Sequence, residues 1–215
     1  MVDATRLSLF WMFQFEEIEL WKNFANGVEN HSDDIILSYN DTKANLDERE
    51  LNKPLTHQQL SSEKWNLDVI FTDNLPNLYR RSAFLTLFGE FEDAMNKLCK
   101  KIADTNSYKI KLNDVNGTGI QRAYLYLNKV GDCEVNSPSW QIIKDLQSIR
   151  NKISHANGYI DKETNKDFER IIKTNSFIEI DLYHLKLKKG FLNYTIDAFE
   201  KYLKALYQSN PNIQS

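Results

Sequence analysis

One stretch limits the fold more than any other. Between about Leu78 and Ile102, Phe84, Leu87, Phe88, Phe91, Met95, Leu98 and Ile102 fall at i, i+3, i+4, i+7, i+11, i+14 and i+18. That spacing puts seven large apolar side chains on one face of an α-helix and holds the stripe for several turns. A face this wide and this apolar has to be covered by other elements, so the chain must supply further amphipathic helices to pack against it. Asp73-Asn74-Leu75-Pro76-Asn77 precedes it as an entry turn, with Pro76 separating a short element near Trp65 from the long helix.

The required partners are present. Ser137-Pro138 gives a cap and a first-turn proline, Ile142, Leu146, Ile149 and Ile153 follow at steps of four, three and four, and Asn157-Gly158 supplies a stop. A helix over 120–130 carries Tyr124, Leu125, Leu127 and Val130, and a last helix over 192–207 carries Ile196, Phe199, Tyr202, Leu203 and Leu206. Asn106, Asn113, Asn116, Gly117 and Gly119 make 104–119 a loop; its Gly-Thr-Gly lacks the Gly-Lys-Ser/Thr that would make it a phosphate loop. A short helix is expected around Phe168, Ile171 and Ile172, and the alternation in SFIEIDLYHLKL, 176–187, predicts a small β-hairpin.

Ahead of this core, Leu9, Phe10, Phe13, Ile18, Trp21 and Phe24 predict an aromatic-rich helix over 5–26 ended by Asn26-Gly27, its surface broadened by Trp11, Met12 and Phe15. A second helix is expected over 31–46. Residues 47–56 read as a charged connection, and His57 as a solvated histidine. The expected organisation is all-α: an N-terminal helical extension, 1–64, packed on a helical domain, 65–207, with a flexible tail at 208–215.

Composition removes several classes. With 27 basic and 30 acidic residues and a net charge of −3, no whole-molecule field advertises nucleic-acid binding, which leaves it to local patches. Cys99 and Cys133 form no C-x-x-C, and His31, His57, His155 and His184 lack ligand spacing with carboxylates, so neither a disulfide framework nor a metal is expected. No stretch approaches about 20 apolar residues. Asp3, Gln14, Glu16 and Glu17 break the pattern of a secretory leader, and a reducing, cytoplasmic setting fits best.

The chemistry concentrates in SIRNKISHANG, 148–158. There Arg150 is permanently cationic, Asn151 offers an amide, and His155 can exchange a proton near neutral pH, a set suited to a phosphate. Gln147, Asn151 and His155 lie one above another at steps of four. Arg150 points roughly 140° away from His155 on an ideal helix. The reach of the arginine, unwinding at Asn157-Gly158, or a second copy of the helix would each bring the two together. Glu90, Glu92 and Asp93 read as a solvated acidic face, but Glu92 lies one residue off the apolar line; were it to border a cleft and reach Arg150, it would fix the guanidinium through a bidentate pair, with Gln147 as a further supporting residue. Lys152, Arg80, Arg81, Lys144 and the Lys186–Lys189 group are the candidate phosphate-attracting positions.

With the motif Arg150-Asn151-x-x-x-His155 late in a helix, and NLYRRSAFLTLFGEFEDAMNKLC, 77–99, as a leading helix, the chain resembles the HEPN superfamily (higher eukaryotes and prokaryotes nucleotide-binding) over about residues 65–207. The resemblance implies a HEPN-like helical bundle and a cofactor-free, metal-independent endoribonuclease that acts as a homodimer in toxin–antitoxin or phage-defence systems, with RNA as substrate and an antitoxin or defence protein as partner. His155 would then be acid or base, Arg150 would stabilise the transition state, and Asn151 would orient His155 or a phosphate oxygen. Relatives silenced by a nucleotidyltransferase carry a tyrosine two residues after the histidine; here Asn157 stands there and Tyr159 follows two later. The alternative is a non-catalytic HEPN-like module that binds a nucleotide or a protein, with the N-terminal aromatic face as its working surface.

Overall fold

The computed structural model describes residues 4–46 and 53–209. Most of the connection at 47–56, the tail beyond 209 and the side chain of Leu9 lie outside the described residues.

The first element, α1 (Ala4–Ala44), is one continuous helix where the sequence predicts two. Asn26-Gly27 does not stop it. A side chain at Gly27 would meet nothing within 4 Å, so the glycine sits on the open face. Its neighbours Ala25, Glu29 and Ser32 are buried, and Ser32 donates its hydroxyl to the Val28 carbonyl. Packing on both sides of Gly27 outweighs the roughly 1 kcal/mol that glycine costs inside a helix. The buried face also differs from the expected one: Trp11 is 2% exposed and packs with Ile18 and Trp21, whereas Phe13 is 56% exposed and Phe24 also faces out.

A short helical turn, α2 (Leu67–Val69), is capped by Asn66, whose side chain accepts from the Val69 N–H. It runs through a π-helical turn at Ile70–Asn74 into α3 (Leu75–Thr105). Pro76 therefore marks no break. Proline lacks an N–H, and the wider turn before it lets Leu75 donate to the Ile70 carbonyl, keeping the chain helical where an α-register would fail.

Every residue of the predicted α3 stripe is buried. It is covered by α4 (Gly119–Lys129), α5 (Pro138–Ala156) and α7 (Phe191–Ser209), together with α1. Phe199 of α7 stacks on Phe91 at 4.1 Å with the rings within 2° of parallel, and both are edge-on to Phe88. On α5 the buried positions are Trp140, Ile143, Leu146, Ile149 and Ile153; Ile143 takes the place expected of Ile142, which is half-buried. Between α5 and α7 lie α6 (Lys162–Thr174) and an antiparallel hairpin, β3 (Ile178–Asp181) and β4 (His184–Leu187). An earlier two-residue hairpin pairs β1 (Thr56–His57) with β2 (Leu60–Ser61). The architecture is mostly α with two small antiparallel strand pairs.

Two polar residues are placed differently from expectation. His57 is buried, with its Nδ1 2.9 Å from the Thr42 hydroxyl and its ring edge-on to Phe71 and Tyr39. It closes a small second cluster of Ile35, Tyr39, Leu67 and Phe71, which explains why it is not solvated. Arg80 is buried too, and its Nε donates to Glu29 of α1 at 2.9 Å. No helix among the described residues is long and apolar enough to cross a membrane.

Candidate active site

The end of α5 is shaped by its punctuation. Asn157 adopts the left-handed conformation (φ 49°) and Gly158 follows with φ 76°; both N–H groups turn back to the Lys152 carbonyl. The helix is thus intact through His155, and its last three turns present Gln147, Arg150, Asn151 and His155 to one pocket of about 290 Å³. The other walls are Phe88 and Glu92 from α3 and Thr118 and Gly119 from the start of α4. Arg150 and His155 reach the same space within one chain. The length of the arginine side chain closes the angle left by the helix; no unwinding is involved.

The polar groups in this pocket are largely unspent. Arg150 is half-buried, and its Nη1 donates to the Asn151 Oδ1 at 3.1 Å. Among the described residues no other acceptor is assigned to its guanidinium, and no carboxylate pairs with it. Asn151 and His155 are exposed, and the His155 ring makes no hydrogen bond to a described residue. Asn151 thus accepts from Arg150 and does not hold His155. Glu92 lines the pocket but forms no ion pair with Arg150, so the bidentate clamp expected from the sequence is absent. An arginine donor set and an imidazole facing one small cavity, both without a charged partner among the described residues, can receive a phosphodiester and exchange a proton with it.

Thr118 and Gly119 join the pocket from outside the motif and its expected supporting residues. Thr118 is extended (φ −135°) and stands at the cap position of α4; Gly119 has φ 54°. A Cβ built on Gly119 would lie 3.2 Å from Oε1 of Glu92, so a larger residue here would make the carboxylate shift by a few tenths of an ångström. The threonine before an apolar run is a readable cap signal; the contact with Glu92 is not readable from sequence.

The other candidate positions lie apart from the pocket. Arg80 is buried against Glu29 and is not available to a phosphate, which corrects the expectation of RNA contact there. Arg81 donates from Nη2 to Asn157 Oδ1 at 2.7 Å and borders a separate pocket of about 490 Å³ with Asp73, Asn77, His184 and Lys186. Burial lowers the Arg81 pKa from its ordinary value. Lys152 is half-buried, 3.9 Å from Asp161. In the basic group near the second hairpin, Lys186 pairs with Asp73 and Asp181, Lys188 with Glu179 and Lys189 with Asp33, so its field is locally neutralised. Among the described residues no three His, Cys, Asp or Glu side chains are grouped to hold a metal ion.

No protein-family model matches the chain, and no curated protein and no solved structure matches it.

Proposed function

We propose that this protein is a metal-independent endoribonuclease of HEPN type that cleaves RNA by attack of the 2′-hydroxyl on the adjacent phosphodiester, in a toxin or phage-defence setting. The observation that carries this reading is the shared pocket: Arg150 and His155 line one cavity, neither buried in satisfied hydrogen bonds. A purely structural motif would have its donors and acceptors consumed inside the protein. RNA supplies its own nucleophile, so the protein has to orient the phosphate, counter the developing negative charge and move protons. Arg150 faces the phosphoryl oxygens, Asn151 holds the guanidinium, and His155 takes part in proton transfer. A homodimer would enlarge the cleft around the motif and lengthen the RNA path, and a neutralising antitoxin or defence partner would act by covering it.

The test is cleavage of labelled mixed-sequence RNA in excess EDTA. The expected products carry 2′,3′-cyclic phosphate and 5′-hydroxyl ends. Arg150→Ala and His155→Ala, each shown to be folded by circular dichroism, are expected to lose roughly 100-fold or more in rate. Unchanged cleavage in both variants sinks the site. The rival reading is a non-catalytic binding module, favoured by one observation: Phe13, Leu20 and Phe24 form an exposed apolar line on α1. Folded wild-type protein that binds RNA or a partner protein without cutting would support it.

A further inference from the structure

The pocket contains one more group that this chemistry needs. Resting on the endoribonuclease reading above, we propose that Glu92 is the proton acceptor of the site, taking the proton of the attacking 2′-hydroxyl, while protonated His155 supplies a proton to the departing 5′-oxygen.

Transphosphorylation requires a base and an acid in the same passage across the transition state, and one imidazole cannot be both at once. The charged or titratable side chains lining the cavity are Glu92 from α3 and Arg150 and His155 from α5; the start of α4 contributes only Thr118 and Gly119. Arginine remains protonated in proteins, so proton transfer falls to Glu92 and His155. The carboxylate is free for the task. Elsewhere carboxylates near cations are engaged, as Glu29 is with Arg80, Asp145 with Arg170, and Asp73 with Lys186. Glu92 shares its pocket with Arg150 yet forms neither an ion pair nor a hydrogen bond with a described residue.

Its surroundings leave it facing the cavity. Phe88, one turn earlier on α3, is buried and forms the apolar wall beside it. Gly119, in the left-handed region, comes close enough that any Cβ would stand 3.2–3.3 Å from both carboxylate oxygens. The absent side chain at 119 leaves those oxygens their room.

In the proposed step the 2′-O–H bond breaks and its proton passes to Glu92, while the oxygen's electrons form the bond to phosphorus. The P–5′-O bond breaks as His155 delivers its proton to the leaving oxygen. Arg150 offsets the charge that builds on the phosphoryl oxygens. Exchange with water then returns Glu92 to carboxylate and His155 to imidazolium, with no oxidant or metal consumed.

Two substrates separate the roles: a ribodinucleotide, whose 5′-oxygen needs a proton to leave, and uridine 3′-(4-nitrophenyl phosphate), whose leaving group does not. His155→Ala is expected to fall roughly 100-fold on the dinucleotide and to recover most of that loss on the nitrophenyl ester. Glu92→Gln, which keeps the side chain's size, is expected to fall about as far on both, with Glu92→Asp intermediate. The wild-type rate on the nitrophenyl ester should keep its acidic limb and lose its alkaline one. That measurement stands even if Glu92→Gln does not fold.

Wild-type rates on Glu92→Gln for both substrates, or rescue of Glu92→Gln by the nitrophenyl leaving group, would overturn the assignment while leaving Arg150 and His155 in place. A missing acidic limb would do the same. Failure of wild type on both substrates would remove the endoribonuclease reading and this role with it.

Discussion

A single contact shows how a residue's setting overrides its type. Arg80 and Arg81 are neighbours in sequence, and both are cations that a sequence reading offers to RNA. One lies against Glu29 with about a tenth of its side chain exposed, and the other is tied to Asn157. Glu29 also accepts from the Gly190 N–H at 3.1 Å, so one carboxylate links α1, α3 and the start of α7. Removing one member of a buried pair strands the other, at a cost of about 3–5 kcal/mol. Glu29→Ala is therefore expected to lower the urea midpoint sharply, and Glu29→Leu combined with Arg80→Met to recover a good part of the loss. Equal destabilisation by the single and double variants would mean that the pair itself contributes little beyond packing.

At the scale of elements, local signals were decisive only where packing agreed with them. Ser137-Pro138 and Asn157-Gly158 bracket α5, and the apolar steps between them match its buried face closely, so the position of the motif was legible from sequence. The stripe of α3 was legible for the same reason. Gly27 and Pro76 gave equally clear local stops, and the chain is helical through both. In the first case tertiary burial on either side outweighs a weak breaker; in the second a π-turn removes the conflict. Since a methyl at Gly27 meets nothing within 4 Å, Gly27→Ala is expected to stabilise the protein by roughly 0.5–1 kcal/mol, read as a higher urea midpoint. A lower midpoint would mean that the helix needs glycine's freedom there. The site was only half legible. The motif names Arg150, Asn151 and His155, but their convergence depends on side-chain length, and the approach of Gly119 to Glu92 joins segments with no sequence period in common.

For the molecule as a whole, the main core runs from Trp11 to Leu206 and takes in both cysteines. Burial pushes the Cys99 thiol up to about 12 and Cys133 up to about 11. Both are then protonated and shielded at pH 8, and neither is expected to react with Ellman's reagent until denaturant opens the fold, when both should react. Fast labelling of native protein would show that this part of the core opens locally. The same core depends on α1 meeting α7: Trp11 packs on Tyr207 at 5.3 Å, Lys22 pairs with Glu200 at 3.0 Å, and Asn193 donates to Asn26 at 3.2 Å. These partners stand at opposite ends of the described chain. During synthesis, then, a ribosome that has released α1 through α6 holds a body whose Phe84, Phe88 and Phe91 still lack the cover of Phe191 and Phe199. That face is covered only when α7 arrives, and a nascent chain stalled before α7 would present it to chaperones and proteases.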